Sequence, residues 1–433
     1  MFVVWAVFLL ELFVYFLFKS VVSDVEMLSF VLIAVNLVVL LMYLSRYAVG
    51  TVFLLIGALF ARVVFMLWDI YARSIYVLPH SGSDTEGFLA TGMGVADDLS
   101  VLGASIYGGL YTKVLGLLFW VGPEDRLMGQ YLNVLIGMTT IVIVLKIFGE
   151  WDIKETIQRW CLVGMAFFPS AIIFSSILLR EAFISFLVVL SFYFFLRWYR
   201  EAGLVDMAIA VGVLLIGTFF HSGVIGVIVG YAFMLVFYNH EEERLEFSVK
   251  SVVPFGMVGL AGLYMTVVPL ESIPFLSKFA FYMDNPNGIY EMASGSEGSD
   301  GGGSRYLTQL TIDTPWEIVV FAPLKMFYFL SSPLPWGWRG FNDIASFSYD
   351  GFIYLILLVV IVVKFRERIV GDPLLMGALI MVLSTVFIFG VGVDNAGTSM
   401  RHRYKLVYLL MLLAVFVLNK SDDQEEKETE AMP

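Results

Sequence analysis

The chain has 433 residues, of which 59% are hydrophobic and only 15% charged, and its mean hydropathy is +0.86. That balance lies outside the soluble globular range, so the chain reads as a helical protein that crosses a membrane many times, with no room for a large soluble domain. A net charge of −12 argues against nucleic acid as a partner, and the single cysteine, Cys161, excludes an intramolecular disulfide or a thiolate metal cluster.

Backbone groups in lipid must be satisfied within their own segment, so apolar stretches of about 20 residues read as helices and not as barrel strands. Such stretches fall at 2–22, 27–45, 50–72, 127–148, 160–179, 182–198, 205–220, 223–238, 250–269, 351–364, 373–392 and 403–419. They predict an all-α, polytopic transmembrane bundle of about 12 spans. The first stretch carries Glu11 and is followed by Lys19 and by further spans without a small-residue cleavage pattern, so it reads as a retained helix. Two more stretches, 99–121 and 316–333, are interrupted by Gly108-Gly109 and Lys113, or by Pro323 and Pro333. Such breaks favour re-entrant or interfacial helices on the outer side; counted as full spans they raise the total to about 14.

Residues 1–420 then form one transmembrane domain with outer loops at 73–98 and 271–350, and the acidic run 421–433 reads as a disordered cytoplasmic tail. Basic clusters at Lys154 to Arg159, Arg197 to Arg200, Arg244 to Lys250 and Lys364 to Arg368 favour an inside N-terminus, with both termini cytoplasmic. Within the second outer loop, the Gly/Ser-rich run 294–304 is too flexible for one conformation. No internal repeat is evident, which weakens the case for an inverted-repeat transporter.

Under this threading the chemistry-bearing residues collect on the outer side. His80, His221 and His402, the acids Asp84, Glu86, Asp97, Asp98, Glu181 and Asp394, and the arginines Arg180, Arg305, Arg401 and Arg403 all fall at outer helix ends or in outer loops. Arg180-Glu181 interrupts two apolar runs, and an ionised pair at membrane depth faces protein or water, not lipid. A guanidinium stays charged in low dielectric and matches phosphate oxygens, so Arg180, Arg305, Arg401 and Arg403 are candidates to hold a lipid-linked diphosphate. The plainer reading makes Arg180 an ion pair with Asp84 or Glu86 that ties helices together, and makes Arg401 and Arg403 headgroup anchors. Asp84 and Glu86, in Ser83-Asp84-Thr85-Glu86-Gly87, are candidate general bases toward a sugar hydroxyl, or else cap the helix that follows. His221 is a third candidate base, against the reading of a hydrogen-bonded boundary residue. His80, Glu181, His402 and Asp394 stand in supporting positions. Asp97-Asp98 offer oxygen ligands for a divalent cation. Trp316, Trp336 and Trp338 offer faces on which a sugar ring can stack. No zinc spacing, P-loop, dinucleotide fingerprint or nucleophile elbow accompanies these residues.

Four stretches carry a family likeness: 82–87 with the segment through Asn133; Pro169-Ser170-Ala171 with Ser175-Ser176-Ile177-Leu178-Leu179-Arg180-Glu181; Pro333-Leu334-Pro335-Trp336; and 397–404. Their order resembles integral-membrane glycan polymerases and glycosyltransferases that use polyprenyl-linked donors, including O-antigen-polymerase-like proteins and the GT-C group. The acidic motif here follows the third helix, whereas GT-C enzymes tend to carry it after the first, which favours the polymerase-like group. The resemblance implies transfer of a glycan from a polyprenyl diphosphate or phosphate on the outer face of a prokaryotic cell membrane. Asp84 or Glu86 would then act as base or metal ligand, and Arg180, Arg305, Arg401 and Arg403 would bind the donor diphosphate. Its partners would be the polyprenyl-linked glycan, membrane lipid and other envelope-assembly proteins. The rival reading is a transporter or flippase of a lipid-linked or anionic solute, which needs polar groups through the full depth of the bilayer; Arg62 is the notable one.

Overall fold

The computed structural model describes residues 1–247, 251–256, 259–260, 304–364 and 366–431. The protein is 79% helical with almost no strand, so the all-α expectation holds. Among the described residues the strands are a short antiparallel pair, Tyr238–Asn239 with Arg244–Leu245.

Among the described residues, seven helices are long and apolar enough to cross a membrane, or eight if the bent pair Ala396–Tyr404 and Val407–Asn419, which turns through 57°, is one span. The larger number expected from hydropathy is not found among the described residues. Stretch 160–179 fails because Pro169 lacks an N–H and holds Phe168 out of the helical region, at φ −59° and ψ 121°. The result is a helix to Phe167, a short Pro169–Phe174 helix and non-helical backbone over 175–180. Stretches 205–220 and 223–238 form the helices Leu204–Phe220 and Ser222–Phe237, both short for a crossing. Stretch 250–269 and the run 294–304 lie largely outside the described residues.

By packing, the chain divides into two compact units, Met1–Phe186 and Leu187–Pro433. The first contains α1 (Phe2–Phe18), α2 (Val25–Leu44), α3 (Val49–Tyr71), α4 (Ser83–Asp97), α5 (Leu110–Val121), α6 (Arg126–Glu150), α7 (Glu155–Phe167), α8 (Pro169–Phe174) and the start of α9 (Glu181–Glu201). The apolar window of α6 is 83% buried, against 22% for Phe2–Val21 and 28% for α2 and α3, so α6 is the central pillar of the unit and the first three helices leave apolar outer faces uncovered by protein. Asp125 starts α6 by accepting the Met128 N–H at 2.7 Å. Most of the expected outer loop 73–98 is the helix α4, whose first turn carries Asp84 and Glu86 at the positive end of the helix dipole. Gly108 and Gly109 adopt φ of 80° and 61° and break the chain ahead of α5, as the interruption in 99–121 predicts.

The second unit contains the rest of α9 and then α10 (Leu204–Phe220), α11 (Gly226–Phe237), α12 (Pro315–Ser331), α13 (Phe341–Val363), α14 (Arg366–Gly371), α15 (Pro373–Gly392), α16 (Ala396–Tyr404) and α17 (Val407–Ala431). Helices α11 and α15 meet backbone to backbone: a Cβ on Gly226 would lie 2.5 Å from the Thr385 Cα, and the Ser384 hydroxyl donates to the Gly226 carbonyl at 2.6 Å. A capping box between Thr314 and Glu317 starts α12. Helix α17 carries its backbone through Ala431, where the sequence reading expects a disordered tail.

Candidate functional site

The second unit contains a cavity of about 400 Å³, within the roughly 300–1,000 Å³ typical of small-molecule sites. Arg305, Tyr306, Tyr328, Trp336, Arg339 and Asp343 line it. One wall is made by the chain on either side of the α16 start. Tyr306 N donates to the Asp394 carbonyl at 2.8 Å and Ala396 N donates to the Ser304 carbonyl at 3.0 Å, a single antiparallel bridge that clamps 304–306 against 394–396. Asn395 then caps α16, its side chain accepting the N–H groups of Gly397 and Thr398 at 2.9 and 3.2 Å.

Charge in this wall is internally balanced. Arg305 donates from Nε and Nη2 to the same Asp394 oxygen at 2.7 and 2.6 Å, so this expected diphosphate ligand is committed to the expected supporting acid. The Tyr306 phenol donates to the Val393 carbonyl and meets the Ser399 hydroxyl, both at 2.9 Å; burial pushes its ionisation far above the ordinary range, so it stays neutral. On the opposite wall Trp336 is largely exposed, with its indole N–H donating to the Tyr328 hydroxyl at 3.1 Å. Arg339 is exposed beside it. Its backbone N–H donates to Asp343 at 2.8 Å, and its guanidinium has no carboxylate partner among the described residues. Arg339 is thus the cavity's available cation, and the sequence reading missed it.

Further along α16 the expected ligands have different duties. Arg403 is fully buried; its Nη1 donates to the carbonyls of Phe329, Leu330 and Ser332 at 2.9, 2.9 and 2.8 Å, and its Nη2 pairs with the buried Asp350. Instead of meeting a diphosphate or a headgroup, it satisfies the carbonyls left open where α12 ends. His402 packs against His221 with ring centroids 4.5 Å apart, and both rings pack on Phe389 at 4.9 and 5.2 Å. The His221 Nδ1 accepts the Gly223 N–H at 3.2 Å, so that nitrogen is engaged in the turn that follows α10. Arg401 is partly exposed in the last turn of α16.

In the first unit the remaining expected residues join a network the sequence reading did not foresee. Glu86 accepts from Arg73 at 2.6 Å and from Arg126 at 2.7 Å; Arg126 also reaches Asp69 at 3.1 Å, and Asp69 accepts from Gln130 at 2.6 Å. Partial burial acts to raise the Glu86 carboxyl, and the hydrogen bonds from Arg126 and Arg73 outweigh it, leaving its ionisation below the ordinary 4.5. Glu86 is therefore a poor proton acceptor. Asp84 is partly exposed and accepts the Tyr107 hydroxyl at 2.6 Å. Arg180 lies 5.9 Å from the Phe88 ring with its Nε buried, and Glu181 is 1% exposed at the start of α9. His80, at φ 66°, packs on Phe174. Arg180 ends the non-helical backbone over 175–180, which Asn133 ties down by donating to the carbonyls of Ile177 and Leu179 at 2.6 and 2.8 Å.

Asp98 caps the turn that follows it by accepting the Ser100 N–H at 2.9 Å, and among the described residues no three His, Cys, Asp or Glu side chains converge on a metal position. The missed residues had a signal. Asp69 lies in the apolar stretch 50–72, where the rule applied to Arg180 selects it too. The expected site residues form two groups, Asp84, Glu86, Arg180, Glu181 and His80 in the first unit, and His221, Arg305, Asp394, Arg401, His402 and Arg403 in the second. Comparison with protein-family models, with curated proteins and with solved structures found no match.

Proposed function

We propose that the protein is a membrane-embedded glycosyltransferase or repeat-unit polymerase that takes its glycan from a polyprenyl diphosphate or phosphate carrier. The observation that carries this reading is the second unit's cavity, where the uncommitted guanidinium of Arg339 stands with the exposed indole of Trp336. A guanidinium suits phosphate oxygens, and an indole face suits a sugar ring. A phosphate leaving from a glycan gains most from a fixed cation that needs no reorganisation as charge develops. Tyr328 and Tyr306 supply hydroxyls to the walls, and Arg305 shapes the pocket through its pair with Asp394.

The test is product formation by the purified protein in lipid vesicles supplied with a polyprenyl-diphosphate oligosaccharide. Elongated glycan on the carrier is expected, with loss of most product in Trp336→Ala and Arg339→Ala proteins that melt normally. Full product from both variants defeats the assignment.

One observation favours the transport reading: in the first unit the partly buried Arg126 leads to the buried Gln130 and Asn133 of α6 and Asp69 of α3, a polar file on facing helices. If the protein is a flippase, the same vesicles will move labelled carrier across the bilayer and leave glycan length unchanged.

A further inference from the structure

Arg62 sits near the middle of α3 with no exposure to solvent. Its Nη1 donates to the carbonyl of Ala58 at 3.0 Å and to that of Ala166, in the last turn of α7, at 2.9 Å. Its Nε and Nη2 are buried and hydrogen-bond to nothing among the described residues, and no carboxylate there pairs with it. A guanidinium does not shed its proton in a protein, so this charge has to be balanced in place. The carbonyl dipoles at the end of α7 offset part of it.

The surroundings lead toward Arg62. Positions 126, 130, 133 and 137 of α6 share one helix face, and this stretch of α6 spans about 16 Å. Asp69 of α3 binds the first two of these side chains, and Arg62 lies two helical turns further along α3, where its Nε is 3.5 Å from the position a Cβ on Gly137 would take. The wall there is close: the same Cβ would come within 2.7 Å of the Ser175 Cβ. Walls this close favour a compact ligand over a phosphate ester with its substituents.

We propose that Arg62 holds a compact monovalent anion of the halide class, with the Nε and Nη2 hydrogens as its donors. The site is separate from the cavity of the second unit and stands or falls independently of the glycan reading. Thermal melting of the purified protein in detergent tests it, with sodium chloride, bromide, gluconate and phosphate compared at matched ionic strength. Chloride and bromide should raise the midpoint saturably by about 2–4 °C over gluconate and phosphate, and Arg62→Gln should lose that difference. Because Arg62→Gln also removes two carbonyl contacts, bromide anomalous scattering from wild-type crystals supplies a reading that needs no variant, with a peak expected beside the Arg62 guanidinium. Equal midpoints in all salts, an undiminished halide shift in Arg62→Gln, or bromide confined to the protein surface each overturn the proposal.

Discussion

Arg403 and Arg62 pose the same problem and meet different solutions. Each is a fully buried arginine that donates to main-chain carbonyls at a helix end, of α12 and of α7 respectively. Arg403 also has Asp350, buried with it, whereas Arg62 has no carboxylate partner among the described residues and two buried nitrogens without hydrogen bonds. In the second unit Arg403 is neutralised inside the protein by Asp350, and the available cation, Arg339, stands in the cavity. In the first unit the exposed end is neutralised, with Glu86 and Asp69 taking up Arg73 and Arg126, and the uncompensated cation lies deep. An arginine's availability thus follows from the carboxylates around it and not from its distance to the membrane surface.

The largest effect should come from breaking the neutral pair. Replacing Arg403 by Ala leaves Asp350 buried without its counter-ion and frees three carbonyls, for a loss of about 3–5 kcal/mol. Reduced yield and a much lower thermal midpoint are the readout; a midpoint within a degree of wild type would mean that Arg403 is not what holds the end of α12. Asn133→Ala should cost less, about 1–3 kcal/mol, because it leaves the carbonyls of Ile177 and Leu179 unsatisfied while moving no net charge. Protease digestion across 175–180 should speed up in that variant before any global unfolding, and unchanged cleavage there would show that the non-helical segment holds its shape without the amide.

These two sites show what hydropathy left out. It found the long apolar helices because span length and composition are local properties. It counted 160–179 as a span because one proline among so many apolar residues barely lowers an average, although Pro169 alone ends the helix. It marked Arg180, Arg305 and Arg403 as charges worth explaining, but two of these three are answered by residues distant in sequence: Arg305 by Asp394, and Arg403 by Asp350 together with the carbonyls ending α12. Such pairings are set by tertiary packing, so a list of outer-side charges does not reveal which remain available. Arg339 stayed hidden for the converse reason, since nothing in its neighbourhood of sequence separates it from an ordinary loop arginine.

A smaller effect should separate the two units by pH. Glu86 ionises below its ordinary 4.5 in the folded protein, because the hydrogen bonds from Arg126 and Arg73 outweigh its burial. Its contribution is therefore present above that value and is lost as pH falls through the lower, folded-state ionisation. Melting curves from pH 7 to pH 3 should show an acid-side decline that is shallower in Glu86→Gln. An identical decline in both proteins would remove Glu86 from the account of acid stability.

The most direct test is equilibrium binding of a polyprenyl-diphosphate oligosaccharide to wild-type protein, to Arg339→Ala and to Arg73→Ala, each checked for normal melting. Losing one charged hydrogen-bond donor in the cavity should weaken binding by about 10-fold to 100-fold in Arg339→Ala. Arg73→Ala, whose guanidinium is already committed to Glu86, should bind as wild type does. Wild-type affinity in Arg339→Ala, or a loss confined to Arg73→Ala, would contradict the claim that the available cation of the second unit marks the ligand site.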